Sequence, residues 1–281
     1  MKRIIRALGS LVLLSGLLIS SAAFAKKDLV KIAAEIEAEG MMLYRLEKAS
    51  WHGTDLFLEK YPYRDNVGGY FSYLDQDTPK CIFVAKTADP QVIGTIIFNK
   101  DFDLQQAKVI MTGRALSPVE KDIFELRKAA LAAMKTEAFK MSYFKNTNPN
   151  VIPVIRGKER KVYILTGPTN PGVVIFGNDY LLDFDAKNGL KSAKPLHKNI
   201  IPVEFEKDGG ATISVHNHSP ETGDFMTATD ICTLMLYADV AGWKQHYVVS
   251  KKYFNIWDVK KQRLLITTKD VIKKINESGK Q

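Results

Sequence analysis

The sequence predicts an α/β protein: a mixed β-sheet flanked by helices, preceded by an N-terminal helix and a small antiparallel β-meander. Three observations predict it. Apolar side chains recur at helical spacing near the start, short β-type runs between turn residues follow, and from residue 117 onward helical and strand patterns alternate. The composition, 46% hydrophobic and 25% charged, suits a chain with a sizeable core and excludes a disordered one.

The first segment has the form of a secretory leader: Lys2, Arg3 and Arg6, an apolar run from Leu8 to Ile19, then Ala23-Phe24-Ala25. The run is too short to span a bilayer comfortably, and no cysteine stands at the cleavage point. The expected product is therefore exported, periplasmic or secreted, without a transmembrane or lipid anchor. Removing residues 1–25 from the 281 leaves 256, and losing the leader's three cations takes the formal charge from +9 to +6. Lysine pairs such as Lys251-Lys252 and Lys273-Lys274 are scattered, with no run of five like charges, so no nucleic-acid partner is expected. Cys81 and Cys232 exclude a disulfide-rich scaffold and lack metal-type spacing. They read as two buried thiols, with a single bridge as the alternative.

Residues 26–112 form an N-terminal region. Leu29, Ile32, Ala33, Ile36, Met42, Leu43 and Leu46 predict a helix over 28–48 with Gly40 as its weak point. Gly69 to Leu74, Cys81 to Val84 and Val92 to Phe98 predict the meander, which carries no catalytic set. Residues 113–281 form the second region, opened by Ser117-Pro118-Val119-Glu120, a capping box with proline at the first helical position. That helix is predicted to run to about Tyr143, with Asn146 to Asn150 ending it. Lys161 to Gly167 and Val173 to Phe176, on either side of Pro168 to Gly172, predict a hairpin. Strands are expected at Tyr180 to Asp185, Ile200 to Phe205, Ala211 to His216, Gln245 to Ser250 and Tyr253 to Val259, with helices at Ala228 to Ala241 and from Lys269. Trp51, Trp243 and Trp257 lack the spacing of a sugar or nucleobase platform and are assigned to the core.

The chemistry concentrates in the segment from Val215 to Asp230. His216 and His218 stand two apart at the end of an apolar strand, so both imidazoles point to one side and can share a metal. Asp230, in the first turn of the next helix, can return its carboxylate to the same ion. Two imidazoles and a carboxylate make a three-ligand site of catalytic type, with a fourth position for water. Thr227-Ala228-Thr229-Asp230 is also a capping box, and the two roles are compatible because a carboxylate has two oxygens. His197 and His246 are candidates for outer-shell roles.

At these residues the sequence resembles the JAMM (JAB/MPN) metalloprotease family, and its His-Asn-His form resembles the RadC-type branch. The family pattern is an upstream glutamate, then His-x-His-Pro, six residues, serine, two residues and aspartate. His216, His218 and Asp230 match the ligands, while Ser219 intervenes before Pro220 and Thr227 stands for the serine. The resemblance covers roughly residues 117–260 and implies a JAMM-like domain. By position, Glu159 at the start of a hairpin strand matches the glutamate, with Glu204, Glu206 and Glu221 as alternatives.

The resemblance implies one Zn2+, other divalent ions not being excluded, bound by His216, His218 and Asp230. It also implies Glu159 as general base and the Thr227 hydroxyl as an oxyanion donor. The implied activity is hydrolysis of amide or isopeptide bonds, with peptide or peptide-cross-linked material, such as cell wall, as the substrate suggested by export. The alternative is a catalytically inactive JAMM-like binding or assembly module of the cell envelope. A third reading, an electrostatic envelope or nucleic-acid binder, predicts salt-sensitive, metal-independent binding.

Overall fold

The structure, a computed structural model, describes residues 2–136, 139, 141–205 and 212–278, with side chains apart from those of residues 2–27, 274–276 and 278. In chain order the elements are α1 (Lys2–Lys60), β1 (Val67–Asp75), β2 (Thr78–Ala85), β3 (Val92–Ile97), β4 (Lys108–Ile110) and α2 (Pro118–Ala133). Then come β5 (Thr147–Arg156), β6 (Glu159–Pro168), β7 (Val173–Gly177), β8 (Tyr180–Phe184), β9 (Leu190–Pro195) and β10 (Ile200–Glu204). The chain ends with β11 (Ile213–Asn217), α3 (Ala228–Ala241), β12 (Gln245–Val249), β13 (Tyr253–Asp258), β14 (Arg263–Thr268) and α4 (Lys269–Ser278). The expected strand residue Ala211 lies outside the described residues. The chain divides into two compact units. The larger comprises Glu39–Thr212 and Thr227–Lys244, the smaller Met1–Ala38, Ile213–Met226 and Gln245–Gln281. Among the described residues, no helix is long and apolar enough to cross a membrane.

In the larger unit, β1 to β3 form the expected antiparallel meander, β4 adds a fourth strand that was not expected, and a second antiparallel sheet has the order β5-β6-β8-β9. Strand β6 is buried on both faces. Its Val162 and Ile164 pack with Leu126 and Ala130 of α2, while Tyr163 and Leu165 pack with Leu43 and Leu46 of α1. This is the period of two that a strand covered on both sides requires. The same two helices serve the meander: Phe57 of α1 packs on Phe83 and Ile96, and Ile123 and Phe124 of α2 pack on Phe71, Ile82 and Val84. Both cysteines are free and buried, in agreement with the two-thiol reading. Burial pushes the Cys81 thiol up to about 12 and the Cys232 thiol well above its ordinary value.

Three local expectations change. Helix α2 stops at Ala133 rather than near Tyr143, because Thr136 turns back with both its amide and its hydroxyl on the Ala133 carbonyl. The apolar spacing continues beyond the helix because Phe139 and Met141 still pack into the α2 core. The predicted hairpin does not form: β6 pairs with β5 and β8, and β7 pairs instead with β10. The polar, proline-containing stretch expected to be a terminator is the start of β5. As the outer strand of its sheet, β5 tolerates Pro149 and Pro153, whose missing N–H groups need no partner on the open side.

The smaller unit contains a mixed sheet of order β11-β12-β13-β14, with β11 parallel to β12 and the other pairs antiparallel.

Gly40 does not interrupt α1. It is a point of close approach, since a Cβ there would lie 2.6 Å from the Ile231 Cβ on α3. An ordinary helix-interior Gly→Ala change gains about 1 kcal/mol, whereas forcing a methyl into a filled contact costs about 1–3 kcal/mol. Gly40→Ala is therefore expected to lower the urea midpoint of unfolding. A raised midpoint would show that the approach is loose.

Candidate metal centre

In the larger unit the site begins at the corner between β7 and β8. Gly177 has φ +84°, and a Cβ there would fall 2.2 Å from the Asn199 carbonyl oxygen. Asn178, at φ +51°, is tied down on every side: its amide donates to the Ser142 carbonyl and to Thr166 Oγ1, and its Oδ1 accepts from the Tyr180 hydroxyl. This fixed corner aims buried Asp179 at His197, whose Nδ1 lies 2.6 Å from Asp179 Oδ1. The Asp179 carbonyl also accepts the Leu196 and His197 amides, so backbone and side chain hold His197 together.

Asp230 enters from α3. Thr227 is the N-cap: its Oγ1 accepts the Asp230 amide at 3.0 Å, and Asp230 Oδ2 accepts the Thr227 amide and hydroxyl, each at 2.9 Å. The other oxygen, Oδ1, lies 3.6 Å from His197 Nε2. Burial opposes a charge on His197, but the nearby Asp230 and Asp179 carboxylates and the Asp179 hydrogen bond outweigh it, pushing the imidazole up to about 9.

In the smaller unit, β11 reverses the usual alternation. Ile213 and Val215 face outward, 47% and 60% exposed, while Ser214 and His216 lie on its other face and His216 is buried. His216 Nε2 and His218 Nε2 are 3.1 Å apart, as the two-residue spacing led us to expect. Behind them runs a relay: His246 Nε2 is 2.9 Å from His216 Nδ1, and His246 Nδ1 is 2.6 Å from Ser214 Oγ. With Nδ1–H of each ring donating along the relay, both contacts are satisfied and His216 Nε2 is left as an electron-pair donor. The loop after His218 is closed by the Thr222 and Gly223 amides on the Ser219 carbonyl. Fully buried Asn255 clamps the loop's far end through the Asp224 carbonyl and the Met226 amide.

The larger unit thus brings together His197 and Asp230, and the smaller unit His216 and His218; each of the four is buried and offers one atom of a kind that metal ions take. Imidazole nitrogen and carboxylate oxygen are donors that several divalent ions take.

The expected ligands His216 and His218 lie together in the smaller unit, and the expected ligand Asp230 lies beside His197 in the larger. Glu159 is not beside the larger unit's pair. This side chain is exposed on the β5–β6 turn, paired with Arg156 at 3.9 Å and Lys161 at 3.6 Å. Tyr180, next to Asp179, is in register with Ile164, which places the His197–Asp179 pair about 20 Å along β6 from Glu159 at the usual strand rise. A general base must reach its proton by a hydrogen bond or through one water, and this separation does not allow it. Glu204 and Glu221 are exposed, and Glu206 lies outside the described residues. The Thr227 hydroxyl is engaged by Asp230, so its visible role is to orient that carboxylate. Sequence reasoning gave His197 only an outer-shell role and passed over Asp179. The one available signal was scarcity: the chain has five histidines, and His197 is one of them.

Compared with models of known protein families, with curated proteins and with solved structures, the chain matches none.

The cap can be tested apart from the metal. Thr227→Val is expected to cost about 1–2 kcal/mol in urea unfolding of metal-free protein, and Thr227→Ser to stay within about 0.5 kcal/mol of the parent. Equal losses in the two variants would show that the hydroxyl is not what holds the helix start.

Proposed function

We propose that the protein is an exported, zinc-dependent hydrolase of amide or isopeptide bonds, with a JAMM-like ligand triad of His216, His218 and Asp230. The observation that carries the reading is the buried His216–His218 pair, with its Nε2 atoms 3.1 Å apart, followed in the sequence by the capping box that carries Asp230. The leader-like segment supports export to the periplasm or beyond, and export in turn favours peptide or peptide-cross-linked substrates such as cell-wall material. A divalent ion held by these residues would supply the Lewis acidity that amide hydrolysis needs at neutral pH.

The remaining work falls to the chain's own groups. Asp179 fixes the ring of His197 through Nδ1, so Nε2 faces Asp230. Between the Asp179 and Asp230 carboxylates the ring holds a proton near neutrality, and Nε2 would deliver it to the leaving amine, the second half of the task first assigned to Glu159. Thr227 keeps Asp230 Oδ2 occupied in the helix cap and so presents Oδ1.

A second reading has its own support. His197 Nε2 lies 3.6 Å from Oδ1 of the expected ligand Asp230, and a carboxylate-oriented histidine is the usual form of a zinc ligand. As a fourth ligand it would close the centre, as in structural zinc sites, and the protein would be a non-catalytic envelope module.

Elemental analysis of protein purified without chelator is expected to find close to one zinc per chain, and His218→Ala to abolish it. A metal-free parent would defeat both readings. His197→Ala separates them. In the hydrolase, zinc is retained and chelator-sensitive turnover of a peptide and muropeptide library falls by roughly 10²-fold or more. In the closed module, zinc is lost with the side chain and the parent shows no turnover.

A further inference from the structure

The larger unit contains a second polar site with no link to the metal ligands. A cleft of about 310 Å3 is lined by Glu47 and Trp51 of α1, Tyr70 of β1, Asn148 and Asn150 of β5, and Tyr237 of α3. Its size lies at the small end of ligand pockets. Glu47 and Trp51 are one helical turn apart on the same face of α1, and Asn148 and Asn150 are two apart on one face of β5. The two pairs thus converge by the elementary periods of helix and strand. Asn150 lies over Gly167, where a Cβ would meet its Nδ2 at 2.9 Å, so the glycine leaves room for the amide.

Two features separate this cleft from a crease between packed elements. Among the described residues, none of these six side chains has a hydrogen-bond partner through its polar atoms, although Glu47 is only 8% exposed. Glu47 alone of the six is buried; the other five are open or half-open to solvent, so their polar atoms are accessible to a ligand that enters the cleft. Trp51, assigned to the core from sequence, is 41% exposed, whereas Trp243 and Trp257 are buried as expected. The Trp51 ring stands at the mouth, 5.5 Å from the Tyr237 ring and tilted 45° to it.

The donor and acceptor inventory selects the ligand. The two amides, two phenols and indole N–H call for acceptors, while the amide oxygens and carboxyls call for donors. An ammonium ion donates only, and an anion would face both Glu47 and the neighbouring Asp55. Burial pushes the Glu47 carboxyl up to about 7 against the opposing pull of Arg127, so near neutrality it can also act as a hydrogen-bond donor. Vicinal hydroxyls donate and accept together. The C–H face of a pyranose ring matches the electron-rich face of an exposed indole.

We propose that this cleft binds a neutral saccharide unit, with Glu47, Asn148 and Asn150 hydrogen-bonding its hydroxyls and Trp51 carrying one face of the ring. This proposal is independent of the metal reading.

The test is calorimetric titration of the full chain with glucose, galactose, mannose, N-acetylglucosamine and their β-linked disaccharides. At least one is expected to bind saturably. Trp51→Ala and Asn150→Ala should each weaken that binding about tenfold, the effect of losing about 1.4 kcal/mol. Both variants should keep the parent's circular dichroism spectrum, and Asn150→Asp, which retains the acceptor but not the donor, provides a variant of nearly unchanged shape. His218→Ala should leave saccharide binding as in the parent. Absence of saturable binding to every saccharide, binding indifferent to the Trp51 and Asn150 changes, or binding of ethylammonium or phosphate in their place would overturn the proposal.

Discussion

The Asp230 carboxylate divides its two oxygens between two tasks: Oδ2 closes the first turn of α3, and Oδ1 lies 3.6 Å from His197 Nε2. An uncompensated carboxylate in a buried position is costly, since desolvation opposes the charge. Here the helix start, with its free amide and the Thr227 hydroxyl, takes up half of that demand, and the positive end of the helix favours the negative charge. The same bonds restrict the side chain to one orientation. A site built on a cap is therefore held before any ligand arrives, and the geometry needed for binding is also what stabilises the helix.

His197 is held by a different device. The Gly177-Asn178-Asp179 corner adopts positive φ at its first two residues and spends the Asn178 side chain on three hydrogen bonds. Those bonds turn a short link between β7 and β8 into a rigid mount for Asp179. The imidazole then meets carboxylates on both ring nitrogens, the reason it retains its proton in spite of burial. Where a metal takes Nε2, that proton has to leave, and the metal replaces it as the positive partner of Asp179.

Elements whose cause is local were legible in the sequence. Helix α3 has its cap, period and terminal glycine within one stretch, and its observed bounds are those expected. The β1 to β3 part of the meander follows from short apolar runs with turns between them, while the three-residue β4 had no such signal. The rest depends on partners distant in sequence. Strand β5 looks like a loop until β6 supplies its hydrogen bonds, and the turn before β7 looks like a hairpin until β10 is in place. His216, His218 and Asp230 form a spacing that can be read, whereas His197 and Asp179 meet only through the folding of the corner at Asn178. Glu159 was placed by the order of elements, and β6 carries it about 20 Å from the His197–Asp179 pair. Trp51 was missed for a smaller reason: the helical pattern was read only to residue 48, while α1 continues to Lys60 and presents Trp51 one turn after Glu47.

The central proposal is that imidazole and carboxylate, rather than either buried thiol, would hold a zinc ion. X-ray absorption at the zinc edge on reconstituted protein addresses it most directly. The account predicts a nitrogen and oxygen shell at about 2.0–2.1 Å with the outer scattering of at least two imidazole rings, and no sulfur. A sulfur shell at about 2.3 Å, or a zinc environment without imidazole scattering, would contradict it.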